Sequence, residues 1–159
     1  MSEPSSSYAR VRLSEAAFSA FLASTPARPS QYTDWIPWLA TRNYSGAISQ
    51  AEIEQMDSVY EGEKGLLSVG AVLDVWLNAP HFNVGESRYD GETHTWTFGN
   101  LEGSENYKDF IYFLSILRGV AQYKDLPGED FILIFPFFWG GPPEAYVVIT
   151  AGSSRLGGK

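Results

Sequence analysis

The residues best equipped for chemistry are two histidines, His81 and His94, and the carboxylates crowded between residues 45 and 110. A hairpin could bring both imidazoles toward Asp90 or Glu92, a conceivable metal set, but the spacing matches no known ligand pattern. The chain has no cysteine, so thiolate sites and disulfides are excluded. A serine triad lacks its G-x-S-x-G elbow. Paired H-x-[ST] motifs of two-histidine phosphoesterases are absent too, because neither His94-Thr95-Trp96 nor His81-Phe82-Asn83 has Ser or Thr at the third position. Gly140-Gly141 runs into Pro142-Pro143, which lack the amide hydrogens that cradle phosphate. Neither a catalytic residue, a metal nor a cofactor is expected. Paired carboxylates could serve as general acid and base, yet such pairs arise by chance in any acidic chain.

The carboxylates say more as a field than as a catalytic set. The net charge is −8, and residues 45–110 hold twelve acidic side chains against three basic ones. Such a field repels nucleic-acid phosphate and attracts basic surfaces, so direct binding to DNA or RNA is not expected. It also keeps a protein soluble without serving any partner. The longest apolar run, 131–139, is far short of the roughly 20 residues that span a membrane. Met1 to Ser7 show neither a basic n-region nor an apolar run, which points to a chain without a signal peptide that works in the cytoplasm.

These groups need positions, and periodicity supplies them. The length suits one domain. We expect 1–7 to be disordered, 8–151 to form a single α+β domain, and 152–159 to fray. Ala9, Val11 and Leu13 alternate as a strand, and Ser14 caps a helix running to about Ser24. Thr33 and Asp34 open a short aromatic element, 35–40, with Pro37 in its first turn. Ser49 and Glu52 form a capping box for a helix to about Glu61. The alternation of Val69, Ala71, Leu73, Val75 and Leu77 reads as a strand. Asp90-Gly91 reads as the centre of a two-residue type I′ hairpin turn between 84–89 and 92–98. Ser104 opens a helix to about Tyr123. The nearly continuous apolar run 131–135, with Phe131 and Phe135 read as core, is a central strand, and 146–150 is the last one. Strands joined mostly by short turns imply an antiparallel sheet packed against helices.

In this frame the helical spacing puts Glu54, Asp57 and Glu61 on one exposed stripe, with Glu63 just beyond. The hairpin tip adds Asp90 and Glu92. Tyr60 and Trp139, the latter before a Gly-Gly-Pro-Pro turn, are aromatic side chains able to anchor a partner held near these charges.

Residues 16–79, with "AFLAS", "DWIPWLA", "SQAEIEQM" and "GAVLDVWLNA", resemble in size, charge and layout the immunity proteins of bacterial polymorphic-toxin systems. The resemblance implies a stoichiometric inhibitor that binds a cognate toxin, often a basic nuclease, in the cytosol of the producing cell. Two alternatives fit the same composition. One is a phage-encoded inhibitor of a host defence complex that mimics nucleic-acid phosphate. The other is a small enzyme with an acidic site outside known motifs.

Overall fold

The computed structural model describes residues 6–41, 48–58, 67–78, 85–100, 107–135 and 145–157. In chain order the elements are β1 (Ser6–Arg12), α1 (Glu15–Ala23), α2 (Trp35–Leu39), α3 (Gln50–Met56), α4 (Val69–Asn78), β2 (Gly85–Asp90), β3 (Thr95–Asn100), α5 (Tyr107–Arg118), β4 (Asp130–Phe135), β5 (Ala145–Thr150) and β6 (Ser153–Gly157). Short 3₁₀ turns cover Pro29–Gln31 and Gly119–Gln122. The six strands form one sheet in the order β2-β3-β1-β4-β5-β6, with every pair antiparallel. This is an α+β domain. Among the described residues, no helix is long and apolar enough to cross a membrane.

Period-2 alternation divides the strands into two faces. Ala9, Val11, Trp96, Phe98, Ile132, Ile134, Val147 and Ile149 point to a core face and are almost completely buried. The helices pack there. Phe18 and Phe21 of α1 meet Trp96 at ring-centroid distances of 5.7 and 5.4 Å, and Phe113 of α5 meets Phe98 at 5.9 Å. The other face carries Tyr8, Arg10, Phe131, Leu133, Tyr146 and Val148. Tyr8 and Tyr146 are 39 % exposed, and Phe131 between them lies 6.2 and 6.4 Å from their rings. Phe131 and Phe135 therefore belong to the open face and not to the core, which takes Ile132 and Ile134 instead. A run apolar at every position normally marks a strand covered on both sides. Here the described helices cover one.

The local signals at helix starts hold. The Ser14 side chain accepts from Ala17 N at 3.1 Å. Ser49 and Glu52 form the reciprocal box, with Ser49 N donating to Glu52 Oε2 at 2.8 Å. At seven residues α3 is too short to be stable alone. It is held by these caps and by Ile53, whose complete burial contributes about 1.5–3 kcal/mol.

Four expectations need correction. Residues 69–78 are the helix α4 and not a strand. Val69, Val72, Leu73, Trp76 and Leu77 fall on one helical stripe and pack inward, whereas Val75, which alternation would have buried, is 60 % exposed. Ser68 caps this helix by accepting from Ala71 N at 3.2 Å. Both periods are present in the sequence; contact with α1 selects the helical one, and Gly70 permits it. A Cβ at Gly70 would stand 3.2 Å from the Leu22 carbonyl oxygen.

The hairpin forms, but its turn spans 91–94, between the paired residues Asp90 and Thr95. Asp90 Oδ1 accepts from Glu92 N at 2.8 Å and from Thr93 N at 3.4 Å, so a side chain satisfies donors that a tight turn would leave to the backbone. Positive φ falls on His94 (51°) and not on Gly91. His94 is fixed there because its carbonyl accepts from Leu13 N at 2.9 Å.

The remaining corrections concern the ends. Ser6 and Ser7, expected to be disordered, pair in β1 with β3 and β4. Residues 153–157, expected to fray, are β6, paired with β5 and held by buried Leu156. Polar composition suggested a loose tail; the hydrogen bonds of β5's outer edge make it a strand.

Candidate functional site

The acidic residues singled out above separate into two locations. Glu54 and Asp57 lie on α3, which packs beside the Pro29–Gln31 turn and meets the first turn of α5 through the Lys108–Glu52 ion pair at 3.4 Å. Asp90 and Glu92 lie at the hairpin tip, beside the start of α1. Tyr60, Glu61, Glu63 and Trp139 fall outside the described residues, as does His81.

Their roles differ on inspection. Glu54 points to solvent. Asp57 is half-buried at the C-terminal cap of α3, and its carboxylate accepts from Ser30 N at 3.2 Å and from the Ser30 hydroxyl. It clamps α3 to the Pro29–Gln31 turn, so its charge is partly spent inside the fold. Asp90 is similar. The Glu92 and Thr93 amides that close the turn hold its carboxyl below the usual range. Glu92 and His94 are exposed at the tip. The free acidic groups among the described candidates are thus Glu54 and Glu92.

Two polar clusters with no signature in the sequence lie inside the molecule. Arg118, at the end of α5 and 1 % exposed, donates through both terminal nitrogens to the two carboxylate oxygens of Asp34, at 2.8 Å each. It also donates to the Ser154 carbonyl at 2.9 Å, and Asp34 accepts from Leu156 N at 2.7 Å. The guanidinium lies 4.0 Å from the centre of the Tyr32 ring and 4.8 Å from that of Trp35. Burial, offset in part by Arg118 and reinforced by Asp34, pushes the Tyr32 phenol up to about 12. Asp34 therefore does not cap α2, the role its position suggested; it ties α2 to α5 and β6.

The second cluster joins Lys124, Arg12 and Asp130. The buried Lys124 ammonium donates to the Arg12 carbonyl at 2.9 Å and to Asp130. Arg12 approaches Asp130 through its backbone N at 3.0 Å and its side-chain Nε at 3.1 Å. Burial alone would raise the Asp130 carboxyl, but the bonds from Lys124 and Arg12 outweigh it and hold the group below its ordinary value. Nearby, Asp125 accepts from Ser14 Oγ and from Ser14 N at 2.8 Å, which pins the start of α1.

A cleft of about 350 Å³ opens between the end of α1, the 25–31 segment, the start of α4 and the Gly119–Gln122 turn. Phe21, Val69 and Tyr123 supply apolar walls, and Arg28, Gln31 and Gln122 supply polar groups. No carboxylate lines it, so it does not hold the carboxylate pair that an acid–base mechanism of the glycosidase kind requires. Among the described residues, no three His, Asp or Glu side chains gather into a metal-binding group.

No protein-family model, curated protein or solved structure matches this chain.

Proposed function

We propose that the chain is a non-catalytic binding protein, an inhibitor of the immunity-protein kind that neutralises a cognate toxin with a basic surface, such as a nuclease, in the cytosol. The observation that supports this reading is the division of labour among the charged groups. The buried ones, Arg118, Lys124 and Asp130 together with the part-buried Asp34, are spent on cross-links between elements. The exposed Glu54 is carried outward on a helix that three anchors hold: the Ser49 capping box, Ile53 and the Asp57–Ser30 clamp. A fixed outward carboxylate in an acidic region speeds the encounter with a basic partner, while apolar contacts then hold the complex.

The test is co-expression with a toxin encoded beside the gene, followed by association kinetics at two ionic strengths. The chain should rescue growth. Glu54→Lys combined with Glu92→Lys should slow association on the order of threefold to tenfold at low salt and reduce its salt dependence, without lowering the melting temperature. Equal rates for both proteins at both ionic strengths would reduce the acidic surface to a solubilising one.

A further inference from the structure

The cleft between α1, the 25–31 segment, α4 and the Gly119–Gln122 turn has a lining unlike the acidic character of the chain. The net charge is −8, yet the only ionised side chain among the lining residues is a cation, Arg28. The other polar groups there are amides and hydroxyls, set beside the rings of Phe21 and Tyr123, whose centroids are 6.0 Å apart. We propose that this cleft is a binding site for a small planar anion, an aromatic ring system carrying a carboxylate, with the ring against Phe21 and Tyr123 and the carboxylate on Arg28.

The direction of the hydrogen bonds around the cleft selects a ligand that accepts. Gln31 Oε1 accepts from the Arg28 backbone N at 2.6 Å, which fixes the orientation of the amide and leaves its NH₂ group to donate. The Arg28 guanidinium has donors only. The acceptors at the end of α1 are already engaged: the Phe21 carbonyl takes both the Ser24 amide and the Ser24 hydroxyl, and the Ser24 carbonyl takes Val69 N at 2.9 Å. A cationic ligand would find no carboxylate here, whereas an anion meets a guanidinium and an amide NH₂.

The walls are formed before any ligand arrives. Pro26 and Pro29 stiffen the 25–31 segment, and Trp35 Nε1 holds the Pro29 carbonyl at 2.9 Å. The missing side chain of Gly119 lets this segment close on the turn, because a Cβ there would stand 3.2 Å from the Ala27 Cβ. Phe21 and Val69, both almost fully buried, give the cleft an apolar base. Its volume of about 350 Å³ lies at the lower end of the range for small-molecule sites, room for one or two fused rings. The ring is a necessary part of the ligand, since a carboxylate paired with a half-exposed arginine gains little once water screens the charges.

An amide-detected NMR titration of the whole chain with 2-naphthoate tests this without any toxin, so its outcome is independent of the inhibitor reading. The shifts should centre on Ala27, Val69 and Gly119, with a Kd on the order of 1 mM, the affinity a ligand of this size reaches at ordinary efficiency. The neutral 2-naphthamide should bind about threefold to tenfold more weakly, and Arg28→Gln should remove that difference. Gln122→Glu places a carboxylate at an exposed position of the lining. It should weaken 2-naphthoate by about threefold to tenfold, leave 2-naphthamide unchanged and keep the melting temperature. An acetylated peptide ending in phenylalanine carries the same ring and carboxylate and should bind no tighter than 2-naphthoate; tighter binding would assign the cleft to the chain end of a partner protein and overturn the small-molecule site. The absence of cleft shifts at millimolar probe would overturn it too, as would equal affinity for the two probes or 2-naphthoate binding indifferent to Gln122→Glu.

Discussion

Tyr32 shows how much a single side chain depends on its surroundings. It lies beneath the Arg118 guanidinium and edge-on to Trp35 at 6.0 Å, where burial favours the neutral phenol. A folded-state value near 12 against 10 in the unfolded chain means that the fold prefers the protonated form. The stability this contributes is complete below about pH 10 and disappears as pH rises toward about 12, a loss of roughly 2–3 kcal/mol. Urea unfolding followed from neutral to strongly alkaline pH should show that decline, and Tyr32→Phe should flatten it. If the two proteins lose stability in parallel, the phenol is not the group responsible. Nothing about residue 32 in the sequence marked it out, since the guanidinium that covers its ring comes from Arg118, at the far end of α5.

At the scale of elements, α4 and the β2–β3 hairpin form an instructive pair, because each contains a glycine whose importance the sequence ranks the wrong way round. Gly91 was expected to need positive φ at the centre of a two-residue turn. In the four-residue turn it does not have one, and a Cβ there would meet nothing within 4 Å. Gly70 sat in an expected strand, where it had no special task; in α4 it lies against the backbone of α1. Gly70→Val should therefore cost about 1–3 kcal/mol by forcing the two helices apart. Gly91→Val should stay within about 0.5 kcal/mol. Chemical denaturation of the two variants measures both, and the reverse order would mean that α1 and α4 do not pack as described.

For the whole molecule, β6 is the element that closes the structure. It pairs along the edge of β5, buries Leu156, and brings Ser154 to Arg118 and the Leu156 amide to Asp34. Ending the chain at Gly152 would strip Arg118 of part of its shell and leave a buried charge incompletely bonded. The expected cost is about 4 kcal/mol or more, a large share of the 5–15 kcal/mol typical of a domain. Circular dichroism melts should show the truncated chain unfolding far below the full one or not folding at all. A melting temperature within a few degrees of the full chain would show the tail to be dispensable.

What the sequence determined by itself is what neighbours along the chain can enforce. The Ser14 cap, the Ser49–Glu52 capping box, the alternation in β1, and the absence of thiol chemistry all follow from residue types within a few positions of one another. The antiparallel α+β class follows from their order. What only the tertiary structure decided are the contacts between distant segments. Residues 69–78 carry both a strand period and a helix period, and the choice came from α1. Residues 153–157 look polar and loose until β5 offers an unpaired edge. Asp57 and Asp90 read as surface charge until Ser30 and the turn amides bond to them. Arg118, Asp34, Lys124 and Asp130 became cross-links because folding places them, 84 positions apart in the first pair, within bonding distance in a low-dielectric interior, where an unpaired charge would be far too costly to keep.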